Sequence, residues 1–249
     1  MRSCRFGNTT FPRMVRRASL ALGAVACLAA PRALPAQTVS PPIAEYQERA
    51  RSSFQLINST IFPLSVVLEV RGFTVTEQGE VQAVPLDTTK VRVKLSAMSF
   101  RIPPRATYTV FYEASADSLP AWFNILSAMT GARTENGLNV RVLLPHVVYL
   151  NQKAPLRKEQ VAIRRLELDS ASGKLRVQLE NLGPNLGRVQ EVTATAGKTT
   201  SQAGAGFPLF PHMVRWTEVG WPGTAAPERL TVRFSRFSMD TLLSATASP

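Results

Sequence analysis

The sequence predicts an all-β protein made of two β-sandwich domains behind a short export segment. Three observations carry this reading. Short apolar runs rich in β-branched and aromatic residues recur with turn chemistry between them, no segment sustains a helical period, and a polar stretch bearing a proline divides the runs into two series. About 213 of the 249 residues remain when residues 1–36 are set aside, enough for two domains of ordinary size.

Residues 1–36 read as a secretory signal. Six arginines (Arg2, Arg5, Arg13, Arg16, Arg17, Arg32) and no acidic residue surround an apolar run of small residues from Ser19 to Ala30, too short to span a bilayer. Cleavage is expected after Ala36. Arg16 and Arg17 match a twin-arginine signal only weakly, and Cys27 lacks the leucine that a lipoprotein signal carries before its cysteine. Both cysteines, Cys4 and Cys27, lie in this segment, so the expected mature chain relies on apolar cores and not on disulfides. Six of the 29 basic residues lie there and none of the 17 acidic ones, so the net charge falls from +12 to +6 on cleavage.

The first series of strands runs through Phe54 to Ile57, Leu64 to Phe73, Val91 to Leu95, Met98 to Ile102, Tyr108 to Tyr112, Trp122 to Leu126 and Leu138 to Leu150. Between Phe73 to Thr76 and Val81 to Val84, the tetrapeptide Glu77-Gln78-Gly79-Glu80 predicts a hairpin with glycine in its turn. Seven short strands at this spacing predict a sandwich of two sheets over residues 37–152. Within the polar stretch Asn151 to Glu159, residues 153–158 around Pro155 form the expected linker.

The second series, over 159–243, consists of Val161 to Leu168, Lys174 to Glu180, Arg188 to Ala196, Phe207 to Val219 and Arg229 to Phe237. Alternation is plainest in Leu175, Val177, Leu179 and in Leu230, Val232, Phe234, and Asn181-Leu182-Gly183-Pro184-Asn185 is a strong turn cluster. Residues 244–249 are an expected disordered tail.

The stretch Asn136 to Leu150 stands apart. Leu138, Val140, Val142 and Leu144 alternate with Asn139, Arg141 and Leu143, and Pro145 then interrupts a strong strand. A proline cannot donate to a ladder, so this strand is expected at a sheet edge along part of its length, open to pairing with another chain.

Catalytic and ligand-binding patterns are lacking. His146 and His212 each follow a proline without a second ligand at metal-binding spacing, and no phosphate loop, nucleophile elbow or HExxH motif occurs. Basic residues are scattered along strands, which does not support nucleic-acid binding. Trp122, Trp216, Tyr108, Tyr112 and Tyr149 read as core or inter-sheet residues.

The order of these elements resembles the periplasmic PapD-like chaperones of the chaperone–usher pilus pathway. In the first domain the resemblance rests on FQLINSTIFP from Phe54 to Pro63, on Gly72-Phe73 and Gln78 to Glu80, and on SFRIPP from Ser99 to Pro104. In the second it rests on GKLRVQLENLGPNLGRVQEV from Gly173 to Val192 and FPLFPHMVRW from Phe207 to Trp216. It implies two immunoglobulin-like sandwiches in a boomerang arrangement. It also implies a non-enzymatic role without cofactor, metal or small-molecule substrate. The last strand of the first domain would offer its alternating apolar side chains to a pilus subunit that lacks a strand of its own. Leu138, Val140 and Val142 match the inserting residues and Leu144 extends the set. Partners implied are pilus or fimbrial subunits, an outer-membrane usher and a second copy that caps the exposed strand.

One departure from the family's pattern concerns the subunit's C-terminal carboxylate, which such chaperones hold with an arginine early in the first strand and a lysine in the donor strand. Here the register puts Val147 at the lysine's place, and Arg49 and Arg51 are the candidate basic residues. The departure leaves open a second expectation, a structural or adhesive envelope protein that shares the sandwich without delivering subunits.

Overall fold

The computed structural model describes residues 37–133, 139–204, 206–223 and 226–243, which fall in one compact unit. The expected signal segment, the expected tail and Leu138 lie outside the described residues.

Ten strands build the first half: β1 (Thr38–Ser40), β2 (Ile43–Gln47), β3 (Arg49–Ile57), β4 (Leu64–Val75), β5 (Val81–Val84), β6 (Val91–Leu95), β7 (Ser99–Ile102), β8 (Thr107–Ala116), β9 (Ala121–Arg133) and β10 (Asn139–Asn151). They form a first sheet in the order β1-β3-β8-β6 and a second in the order β2-β10-β9-β4-β5, with β7 also on β4. Period-two alternation turns one side of each strand inward. Phe54, Leu56, Val110 and Tyr112 of the first sheet meet Leu64, Val66, Leu68, Phe123, Ile125, Val148 and Leu150 of the second in one buried core. Each such side chain stabilises the sandwich by about 1.5–3 kcal/mol relative to exposure. The hairpin expected at Glu77 to Glu80 is present: Thr76 N–H donates to Glu80 O (2.9 Å), Gly79 N–H donates to Thr76 O (2.9 Å), and Gly79 has φ +88°.

The second half carries β11 (Val161–Asp169), β12 (Lys174–Asn181), β13 (Gly187–Ala196), β14 (Thr199–Gln202), β15 (Phe207–Leu209), β16 (Val214–Gly220), β17 (Arg229–Phe234) and β18 (Ser238–Leu242). A third sheet, β11-β12-β16, faces a fourth, β14-β13-β17-β18 with β15 also on β13. Leu175, Val177, Leu179 and Val219 pack against Val192, Ala194, Leu230, Val232 and Phe234. The fold is thus all-β, with two β-sandwiches in sequence.

The single strand expected over Phe207 to Val219 is in fact two strands on opposite sheets: β15 pairs with β13, and β16 pairs with β12. The break falls at Pro211 and at His212, whose φ of +52° no strand accommodates.

The two sandwiches share one device. FQLIN in β3 and its following residue, and VQLEN in β12, each end in a fully buried asparagine, Asn58 and Asn181. Asn58 Nδ2 donates to the carbonyls of Phe62 (2.8 Å), Pro103 (2.9 Å) and Ile102 (3.3 Å), and its Oδ1 accepts from the Thr60 N–H (3.0 Å) and hydroxyl (2.7 Å). Asn181 Nδ2 donates to Asn185 O (2.7 Å) and Leu209 O (3.2 Å), while Oδ1 accepts from Gly183 N–H (2.9 Å). Loop carbonyls that would be buried without partners are thereby satisfied.

A smaller apolar cluster joins the sandwiches: Phe73 and Tyr149 from the first, Leu186 and Phe210 from the second, with Val75, Trp122, Val147 and Met213 packed around them. Arg188 pairs with Glu45 and lies over the Tyr149 ring, 5.3 Å from its centroid. Gln152 and Leu186 exchange two hydrogen bonds, 3.0 and 3.3 Å.

Candidate functional site

β10 is the strand on which the site is built. On one side it pairs antiparallel with β9 from Asn139 to Leu150; on the other it pairs, in parallel, with β2 only over Val147 to Asn151. Residues Asn139 to His146 therefore have one open edge among the described residues. Val147 N–H points to that side, donating to Pro42 O (2.8 Å). Main-chain groups alternate along an antiparallel strand, so Arg141, Leu143 and Pro145 also present theirs to the open edge, whereas Val142, Leu144 and His146 bond to β9.

Pro145 thus removes no bond from the ladder with β9. The donor it lacks is one that would have faced the open edge. The edge strand expected from this proline is present, and the proline stands where the edge passes from open to covered by β2.

The apolar side chains divide by face. Val140, Val142 and Leu144 are half-buried and pack against the first core at the rim between its two sheets. Leu143 points outward and is 57 % exposed. Its cross-strand neighbours on the outer face are Ala128 of β9 and Val67 of β4, the latter 56 % exposed. The register shift between β9 and β10 lies on β9, where Gly131 adopts φ +102°, so alternation along β10 continues through Arg141.

The basic candidates lie elsewhere. Arg49 and Arg51 alternate with buried Ala50 on β3, so they project from the outer face of the first sheet, and Arg51 forms an exposed ion pair with Glu113 (3.2 Å). Neither belongs to the sheet that contains β10. Val147 faces the cluster between the sandwiches and is paired with Ile43 of β2.

Sequence reading passed over two arginines that approach this cluster from the second sandwich, Arg188 over the Tyr149 ring and Arg215. Arg215 lies over the Phe207 ring, 4.4 Å from its centroid, with Nε buried and without a hydrogen-bond partner, and desolvation lowers its pKa. Only the sheet topology brings it near Tyr149.

His146 is fully buried, with its ring stacked on Phe54 at 4.5 Å. Its Nδ1–H donates to Pro41 O (2.7 Å), which leaves Nε2 to accept from the Tyr112 hydroxyl (3.0 Å); Tyr112 in turn accepts from Tyr46 (2.9 Å). Burial lowers the pKa of the imidazole and raises that of the Tyr112 phenol. Each polar atom in this chain has a partner, so the histidine reads as a structural group. Among the described residues no three His, Cys, Asp or Glu side chains gather as metal ligands.

No protein-family model matches the chain, and no curated protein matches it. Solved structures do. The complex of the SafA pilin with the SafB chaperone from Salmonella enterica matches with a TM-score of 0.53 at 13% identity, over 84% of this chain and 97% of that one. The YadV chaperone matches with a TM-score of 0.50 at 11% identity, over 83% and 99%. At these identities the likeness is one of fold: the chain shares its architecture with these two structures along nearly all of its described length.

Proposed function

We propose that this protein is a periplasmic chaperone that binds pilus or fimbrial subunits by donor-strand complementation and delivers them for assembly. The observation that carries this reading is the open edge of β10 over Asn139 to His146, bordered by the half-buried row Val140, Val142 and Leu144. A strand of another chain completes the ladder there, and its neighbours cover apolar side chains that the sandwich leaves partly exposed. The fold shared with the YadV chaperone and with the complex of the SafA pilin and the SafB chaperone supports a chaperone role with a subunit partner. On this reading the subunits are strand-deficient and an outer-membrane usher receives them. The exposed edge also favours a second copy as a transient cap. The domain limits 37–152 and 159–243 and export by residues 1–36 belong to this reading.

A carboxylate anchor formed with Arg49 or Arg51 has little geometric support, since both face away on the other sheet. A subunit held without that anchor relies on the strand edge.

Proline substitution separates the edge from the fold. Leu143→Pro removes an N–H that only a partner uses, so the tagged variant is expected to stay folded and to lose the strand-deficient subunit that the parent recovers from the periplasm. Val142→Pro removes a bond to β9 and is expected to destabilise the protein by about 3 kcal/mol or more. Recovery of the subunit by a folded Leu143→Pro variant at the parent's level would refute strand addition at this edge.

A further inference from the structure

We propose that the outer face of the second sheet reads the partner a second time: the strand that pairs with β10 carries an apolar side chain opposite Leu143 and an acidic one opposite Arg141. This rests on the donor-strand reading, and it concerns the face turned away from Val140, Val142 and Leu144.

Leu143 supplies both parts of the contact. Its main chain faces the open edge and its side chain stands on the outer face, so any strand that occupies the edge must set a residue beside it, within cross-strand distance. The side chain is not isolated. Leu143, Ala128 and Val67 form one apolar row across three strands, and the row ends at the open edge. Two of the ten large hydrophobic residues most exposed in the described chain lie in this row, away from the part of the same face, at Trp122, Val147 and Tyr149, that packs in the cluster between the sandwiches.

The charges around the row fix the rest of the partner's chemistry. Arg141 is exposed two residues along the same strand face. Arg101 is exposed on β7 and pairs with Ser65, which pairs with Thr130 in the row beside Leu143. Among the described residues neither arginine forms an ion pair. On the other side, Glu69 is held by Arg71 (2.6 Å). Beside the open edge, Arg141 is thus an exposed cation without an ion-pair partner among the described residues, and Arg101 adds positive charge three strands away on the same face, which suits an acidic residue two positions from the apolar one on the incoming strand.

The test uses the tagged full chain in its native periplasm, with the recovered partner identified as a strand-deficient β protein and quantified per chaperone. Leu143→Asp is expected to lower recovery about tenfold, as fits loss of one half-exposed leucine contact and its replacement by a charge. Arg141→Glu is expected to lower it several-fold, with Arg141→Lys restoring most of the loss, and added salt is expected to narrow the difference. Gln55→Asp, on the outer face of the first sheet, serves as the control and is expected to behave as the parent. Thermal unfolding of all four variants is expected to match the parent. A photo-cross-linker at position 143 is expected to mark the same partner strand. Parental recovery by Leu143→Asp and Arg141→Glu, or no cross-link from position 143, overturns the proposal while the donor-strand reading stands. If the parent recovers no strand-deficient partner, both fall.

Discussion

His146 joins three elements through a hydrogen-bonded chain from Pro41, at the entry to β2, through Tyr112 of β8 to Tyr46. The ring has to be neutral for Nε2 to accept from Tyr112, and burial lowers its pKa. The sign of the pH dependence follows. Above about pH 6.5 the ring is neutral in folded and unfolded chains alike. As pH falls through that value only the unfolded chain takes up the proton, so stability declines until the folded ring titrates as well. The parent is expected to lose more unfolding temperature between pH 7 and pH 5 than His146→Gln, which starts lower because its polar neighbours lose a partner. Equal slopes would show that His146 does not set the acid sensitivity. The other histidine, His212, is exposed and is common to both proteins.

Among the elements, the β9–β10 hairpin depends on a local irregularity. Gly131 has φ +102°, and a Cβ there would lie 2.8 Å from the Pro63 carbonyl oxygen. Gly131→Val is expected to cost about 2 kcal/mol in urea unfolding, from strain in the left-handed region and displacement of the Pro63 loop. An unchanged midpoint would mean that the bulge reorganises freely. Strands of this kind were legible in the sequence where alternation was clean, as in Leu175, Val177 and Leu179, and where a proline marked an edge, as at Pro145. β1 and β2 were not, because Pro41 and Pro42 cut them into short pieces whose pairing partners lie far along the chain. β18 was hidden by the polar content of Ser238 to Leu242. At the site, the rim row Val140, Val142 and Leu144 was legible from its period. The separate place of Leu143 could not be fully weighed, because two adjacent leucines look alike until the neighbouring strands are known. Arg49 and Arg51 illustrate the same limit: sheet membership is a property of long-range pairing.

For the whole molecule, the cluster between the sandwiches decides whether the halves act as one. Phe210 sits at its centre, with ring centroids 4.5 Å from Trp122, 6.2 Å from Phe73 and 6.3 Å from Tyr149. Three of its aromatic neighbours thus come from the other sandwich. Phe210→Ala is expected to cost about 3 kcal/mol and to split a single calorimetric transition into two, because the contact that couples the sandwiches is lost. A single transition with equal calorimetric and van't Hoff enthalpies would assign the coupling to the Arg188–Glu45 pair and the Gln152–Leu186 bonds instead.

The position of Pro145 has one more consequence. A strand lying along a uniform edge can slide by two residues and keep both its bonds and its facing, so such edges bind without a defined zero. Here a shift towards the second sandwich meets a missing donor and then the covering strand β2. On the donor-strand reading proposed above, Pro145 is the zero mark of a ruler: it would fix one end of a bound strand, so that recognition by side chains is exact in position although the main-chain bonds carry no sequence information.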